Sequence, residues 1–134
     1  MLMDDSVLTN PVEMGKVVET AVYRHVAVSC SRKASSVGYY RGGRKDKEVD
    51  VVIEYANHRN VLIEVKYREK APISDDDAIC RICKEASAAI IVTKNMDDYG
   101  IYSTASGDEL LRVPASAFLY LIGHAEKNGY PGIC

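Results

Sequence analysis

Asp50, Glu64 and Lys66 bring charge into two of the most β-branched stretches of the chain, residues 48–55 and 60–67. Glu64 and Lys66 are two positions apart, so on a strand their side chains lie side by side on one face. If the two stretches pair as a hairpin across Ala56, Asn57, His58 and Arg59, Asp50 comes level with that pair. Two carboxylates and an ammonium then converge among Val49, Val51, Ile53, Val61, Ile63 and Val65. Carboxylate oxygens suit hard divalent cations, and an adjacent ammonium suits proton or charge work. The same residues also fit the solvated side of a hairpin, with an ion pair worth less than about 1 kcal/mol. The apolar flanks weigh toward a site.

Positioning these groups requires a sheet and covering helices. Over residues 13–29, Met14, Val17, Val18, Ala21, Val22 and Val26 recur at three- and four-residue steps, which predicts an amphipathic helix. Asn10 and Pro11 supply its N-cap and first-turn proline. Glu19 lies at the border of its apolar stripe. A loop over 30–36 leads to a short strand at 37–40, closed by a turn at Gly42 and Gly43. In the hairpin, Val49, Val51, Ile53 and Tyr55 are expected to share one face, as are Val61, Ile63, Val65 and Tyr67.

After Pro72, the acidic run Asp75, Asp76 and Asp77 reads as the start of a helix reaching about residue 85. Residues 88–93 are a continuous apolar run, the pattern of a central strand covered on both sides. Two short strands at 101–104 and 109–112 and a helix over 115–127 complete the chain. The order predicts an α/β domain with a central mixed β-sheet flanked by helices.

This arrangement resembles the PD-(D/E)XK phosphodiesterase superfamily. The likeness is carried by Gly15-Lys16-Val17-Val18-Glu19 on the first helix, residues 47–54 on one strand and Ile63-Glu64-Val65-Lys66-Tyr67 on the next. More narrowly, it is similar to the nuclease-like C-terminal domain of prokaryotic AAA-type ATPases. There, Tyr39-Tyr40-Arg41 through Glu48-Val49-Asp50, the Glu64-Val65-Lys66 motif, Ile91-Val92-Thr93-Lys94, and Val113-Pro114-Ala115 leading into Phe118-Leu119 have counterparts. The likeness covers about residues 12–122, with Val49 where the superfamily name puts proline.

The resemblance implies a restriction-endonuclease-like three-layer fold and a metal-dependent DNA phosphodiesterase. Asp50 and Glu64 would hold Mg²⁺ or Mn²⁺ with the Val65 backbone carbonyl, and Glu19 would be a direct or supporting ligand. Lys66 would activate or position the attacking water. The alternative it carries is a nuclease-like module that does not cut and serves recognition or regulation of an AAA-type ATPase. A third reading, a small junction-resolving enzyme, would require a homodimer so that two sites cut two strands.

Beside the motif, Arg41, Arg44, Lys45 and Lys47 form a basic cluster next to Tyr39 and Tyr40. This set fits either a nucleic-acid backbone contact, with charge for phosphate and rings for stacking, or a solvated turn. The spacing around Gly38 and Gly43 fails as a Walker loop, because Arg44 and Lys45 stand where Lys and Ser/Thr are needed and no helix follows. Cys80 and Cys83 have C-x-x-C spacing without a second ligand pair, and buried free thiols are expected there rather than zinc.

The composition bounds these readings. The 134 residues allow one domain, which a fragment of a longer ATPase would resemble equally, and leave no room for an ATPase module beside it. A net charge of −2 gives no overall pull on DNA. No apolar run reaches the roughly 20 residues of a membrane span, and the N-terminus lacks the features of a secretory signal. Four irregularly spaced cysteines do not make a disulfide scaffold, and a cytoplasmic location with a reducing environment is the default expectation.

Overall fold

The computed structural model describes residues 10–41 and 48–128. The first helix, α1, spans Pro11–Cys30. Asn10 is its N-cap: its side-chain oxygen accepts from the amides of Val12 (3.1 Å) and Glu13 (3.4 Å), and proline follows in the first turn. Since the cap is exposed and touches nothing else of note, Asn10→Ala is expected to cost about 1 kcal/mol in chemical denaturation. Val22, Val26 and Cys30 recur every fourth residue and are fully buried, so this stripe faces the sheet.

Six strands follow: β1 (Ser36–Arg41), β2 (Glu48–Glu54), β3 (Asn60–Lys66), β4 (Ala88–Thr93), β5 (Gly100–Ser103) and β6 (Glu109–Pro114). Their order in the sheet is β1-β2-β3-β4-β6-β5. The first three strands pair antiparallel, β4 lies parallel to both β3 and β6, and β5 closes the edge antiparallel to β6. In the hairpin between β2 and β3 the Tyr55 amide donates to the Arg59 carbonyl, and His58 takes a left-handed φ of 61° at the tip. Helix α2 (Ala78–Ile82), continued by a 3₁₀ turn at Cys83–Glu85, connects β3 to β4, and α3 (Ala115–Asn128) follows β6 directly.

Strand period two sends alternate residues to opposite layers. Val61 and Ile63 of β3 and Ile90 and Val92 of β4 pack with Val22 and Val26 of α1 and Phe118 and Ile122 of α3. Leu62, Ala89 and Ile91 pack on the other side with Ala78, Ile79 and Cys80 of α2. The fold is therefore a three-layer α/β arrangement, a mixed six-stranded sheet flanked by helices, as the element order predicts. Among the described residues, no helix is long and apolar enough to cross a membrane.

Two elements depart from expectation. Val51 and Ile53 join the core beneath α1, but Val49 joins the opposite one. The cause is a β-bulge: Gly38 pairs with Val52 and Tyr40 with Val49, so Asp50 and Val51 together oppose Tyr39. The helix expected to follow the acidic run begins at Ala78 with Asp77 as its N-cap, and only its first five residues are α-helical before the 3₁₀ turn to Glu85. Asp75 accepts from the Tyr102 hydroxyl (2.7 Å) and the Ala105 amide (2.8 Å), Asp76 pairs with Arg81 (3.2 Å), and Asp77 at the N-cap makes no side-chain cap bond.

The C-x-x-C pair is two buried free thiols, as expected, and burial pushes the Cys80 thiol up to about 12, which leaves it unreactive.

Candidate functional site

The site grows from the open end of the β2–β3 hairpin. Pairing there runs from Glu54↔Asn60 up to Val51↔Ile63 and then stops. The next rung would set Asp50 opposite Glu64, but the bulge turns β2 aside, and the Asp50 carboxylate itself takes the Val65 N–H at 2.7 Å. A side chain thus replaces a main-chain acceptor where the strands part. Bulges re-aim side chains in this way.

On β3, Glu64 and Lys66 share a face. Lys66 is only 7% exposed, and its Nζ lies 3.9 Å from Glu64 Oε1. Closer partners hold it: Nζ donates to Asp77 Oδ2 at 2.6 Å and to the Pro72 carbonyl at 3.2 Å. Glu64 Oε2 is buried with no hydrogen-bond partner. Glu19, an exposed residue of α1, lies close enough to Asp50 for its charge to act on that carboxyl.

These contacts make the site strongly electronegative for its burial. Burial pushes Asp50 up to about 6; the Val65 N–H opposes the rise, and the charges of Glu19 and Glu48 add to it. Burial likewise raises Glu64 to about 7, with Lys66 pulling down and Asp77 and Asp50 pushing up. Desolvation is the main cause in both carboxylates, and the charge of Asp50 is a lesser one for Glu64.

Oxygen donors and the partnerless Glu64 Oε2 fit a hard divalent ion by charge and chemistry. Among the described residues no group of three His, Cys, Asp or Glu side chains makes a protein cage for a metal. Mg²⁺ needs none, since it commonly binds through one or two carboxylates and keeps several waters. Asp50 and Glu64 are the residues that would hold it, with Glu19 supporting Asp50. Val65 contributes its amide to Asp50.

A cleft of about 340 Å³ opens beside Asp50. Glu19, Tyr23 and Arg24 of α1 line one wall, and Tyr39, Tyr40 and Arg41 of β1 line the other. Tyr39 is 61% and Tyr40 42% exposed, and the Arg41 guanidinium lies 4.7 Å from the Tyr39 ring centre. Arg41 also approaches Glu48 at 3.7 Å. Arg44, Lys45 and Lys47 of the expected basic cluster lie outside the described residues.

The structure thus sets Glu19 by Asp50 and Lys66 by Glu64, on adjoining elements rather than in one cluster of three carboxylates, and adds three residues that sequence reasoning missed. Asp77 was hidden because an aspartate before a helix reads as a cap. Tyr23 and Arg24 carried a weak signal: Tyr23 is one helical turn beyond Glu19 and so shares its face.

A family described as a domain of unknown function, DUF4143, matches residues 14–115. The chain belongs to the DUF4143 family. The matched span begins in α1, contains Glu19, Asp50, Glu64, Lys66 and Asp77, and ends on the first residue of α3. DUF4143 domains are found in AAA-ATPase-associated proteins. Comparisons of this DUF4143 chain with curated proteins and with solved structures gave no match.

Proposed function

We propose that this DUF4143 domain is a metal-dependent DNA phosphodiesterase, an endonuclease of the PD-(D/E)XK type. The observation that carries the reading is the buried, partnerless Glu64 Oε2, in one of two carboxylates on adjoining strands raised to about 7 and about 6. Mg²⁺ or Mn²⁺, when bound, supplies Lewis-acid stabilisation of the charge that builds on the phosphoryl oxygens. Asp50 and Glu64 provide the anionic oxygens, and Glu19 orients Asp50. Lys66 commits two of its three N–H groups to Asp77 and Pro72, which supports a role as a fixed positive charge that orients water or phosphate. In the reaction a water oxygen bonds to phosphorus, one P–O ester bond breaks, and the water's proton leaves to solvent or to the departing oxygen. The aromatic and cationic walls beside Asp50 support a nucleic-acid substrate, with rings for bases and Arg24 and Arg41 for phosphates.

The reading is tested by incubating the purified chain with plasmid, single-stranded and branched DNA in Mg²⁺, Mn²⁺ or EDTA. Cutting that requires the metal is expected. A second reading, a non-cutting recognition or regulatory module of an AAA-type ATPase, is favoured by the lack of a three-ligand cage among the described residues and by the family's occurrence in ATPase-associated proteins. No cutting and no heat on titrating Mn²⁺, with DNA or ATPase binding retained, would replace the first reading by the second.

A further inference from the structure

Lys66 Nζ stands between two carboxylates, and it touches the one outside the Asp50–Glu64 pair. Asp77 Oδ2 is 2.6 Å away, whereas Glu64 Oε1 is at 3.9 Å. A charge-assisted N–H···O contact has a length of about 2.8 Å, so a shift of about 1 Å would carry the ammonium onto Glu64. What prevents that shift is the segment before α2. The Pro72 carbonyl accepts a second ammonium proton at 3.2 Å. Asp77 is itself anchored: its Oδ2 also accepts from the Ser74 amide (3.1 Å), its own amide donates to the Ser74 carbonyl (2.9 Å), and its carbonyl accepts from the Arg81 amide (3.2 Å). An aspartate held by its main chain at both ends is a rigid acceptor, and its binding oxygen is already shared by two donors.

We propose that Asp77 is a positioning residue: it holds Lys66 off Glu64 and thereby leaves the Glu64 carboxylate available to a divalent cation. This rests on the reading of Asp50 and Glu64 as cation ligands. With Asp77 in place, Lys66 lends positive charge to the site without closing on Glu64, whose Oε2 keeps no protein partner. Without it, the nearest anionic oxygen to a buried ammonium is Glu64 Oε1, and the ion pair that forms there competes with the cation for the same carboxylate.

Mn²⁺ titration calorimetry on the full chain tests this with Asp77→Asn, Lys66→Met and the double variant, each first checked for folding by circular dichroism. Asp77→Ser replaces Asp77→Asn if the latter does not fold. Asp77→Asn alone is expected to weaken Mn²⁺ binding about 10-fold. In the Lys66→Met background the same change is expected to alter it by less than about twofold, because there is no ammonium left to restrain. A loss of similar size in both backgrounds means that Asp77 acts on the cation directly, and overturns the proposal. So does unaltered binding in Asp77→Asn.

A wild-type chain that takes up no Mn²⁺ sinks the cation reading itself, and the holding role is then decided by NMR of the lysine ammonium groups. The Lys66 signal, assigned by its disappearance in Lys66→Met, is expected to be protected from exchange in the wild type and to lose that protection in Asp77→Asn. An unchanged signal overturns the role of Asp77.

Discussion

Glu64→Gln is expected to stabilise the folded chain by about 2–3 kcal/mol at pH 8, and by little at pH 4. Glu64 rises from 4.5 to about 7 on folding, chiefly through burial. A raised folded-state value means that the native chain holds the proton more tightly than the unfolded chain. Its stabilising contribution is complete below about pH 4, and is lost as pH rises through about 7. Asp50, raised from 3.8 to about 6, acts in the same sense over a slightly lower window. The wild type should therefore lose stability between about pH 4 and pH 7. Glutamine, neutral at every pH, removes the larger part of that loss.

Urea denaturation at pH 4, 6 and 8 measures both chains. A wild type equally stable at all three values, or a Glu64→Gln chain weaker at pH 8, would contradict the electrostatic account. Saturating Mg²⁺ at pH 8 should raise the wild-type midpoint and leave the variant's unmoved, because the ion stabilises the native state only where it binds.

The second large effect concerns Asp50→Ala. Cutting of DNA under saturating Mg²⁺ should fall by about three orders of magnitude, the rate equivalent of the several kcal/mol that metal-assisted charge stabilisation supplies. The loss has two origins in one residue. Its carboxylate is one of the two anionic groups suited to the cation, and its Oδ2 also holds the Val65 amide at the point where β2 and β3 part. Alanine removes a ligand and frees the strand end that carries Glu64. Glu19→Gln offers the contrast: under the proposed reading Glu19 would act on the cation only through Asp50, so a loss of about 10-fold is expected. Equal cutting by wild type and Asp50→Ala would sink the phosphodiesterase reading.

The charged residues of β2 and β3 were legible because strand period is local: Glu64 and Lys66 share a face whatever lies around them. The hairpin across residues 56–59 was legible, and its pairing up to Val51↔Ile63 keeps the expected register but stops one rung short of Asp50 and Glu64. Glu19 entered only through the resemblance, since its place at the edge of the apolar stripe of α1 fits an exposed helix glutamate equally well. The bulge was not legible. Nothing in the alternation of Val49, Val51 and Ile53 distinguishes a regular strand from one that switches faces at Asp50, since a buried valine is acceptable in either core. Nor was the engagement of Asp75 by Tyr102 and of Asp77 by Lys66, because acidic residues before a helix read as its caps.

The division has a physical basis. Composition and periodicity by themselves determined an α/β chain, a central apolar strand at Ala88–Thr93 and a charged hairpin, since each depends on neighbours within a turn or a strand. Tertiary structure decided which carboxylate Lys66 serves, which oxygen of Glu64 lacks a partner, and that α1 and β1 wall a cleft beside Asp50. Those outcomes turn on differences such as 2.6 against 3.9 Å between groups on different elements. Strand order, the bulge and the seating of α1 and α2 on opposite faces of the sheet set such distances, and local pattern carries no record of them.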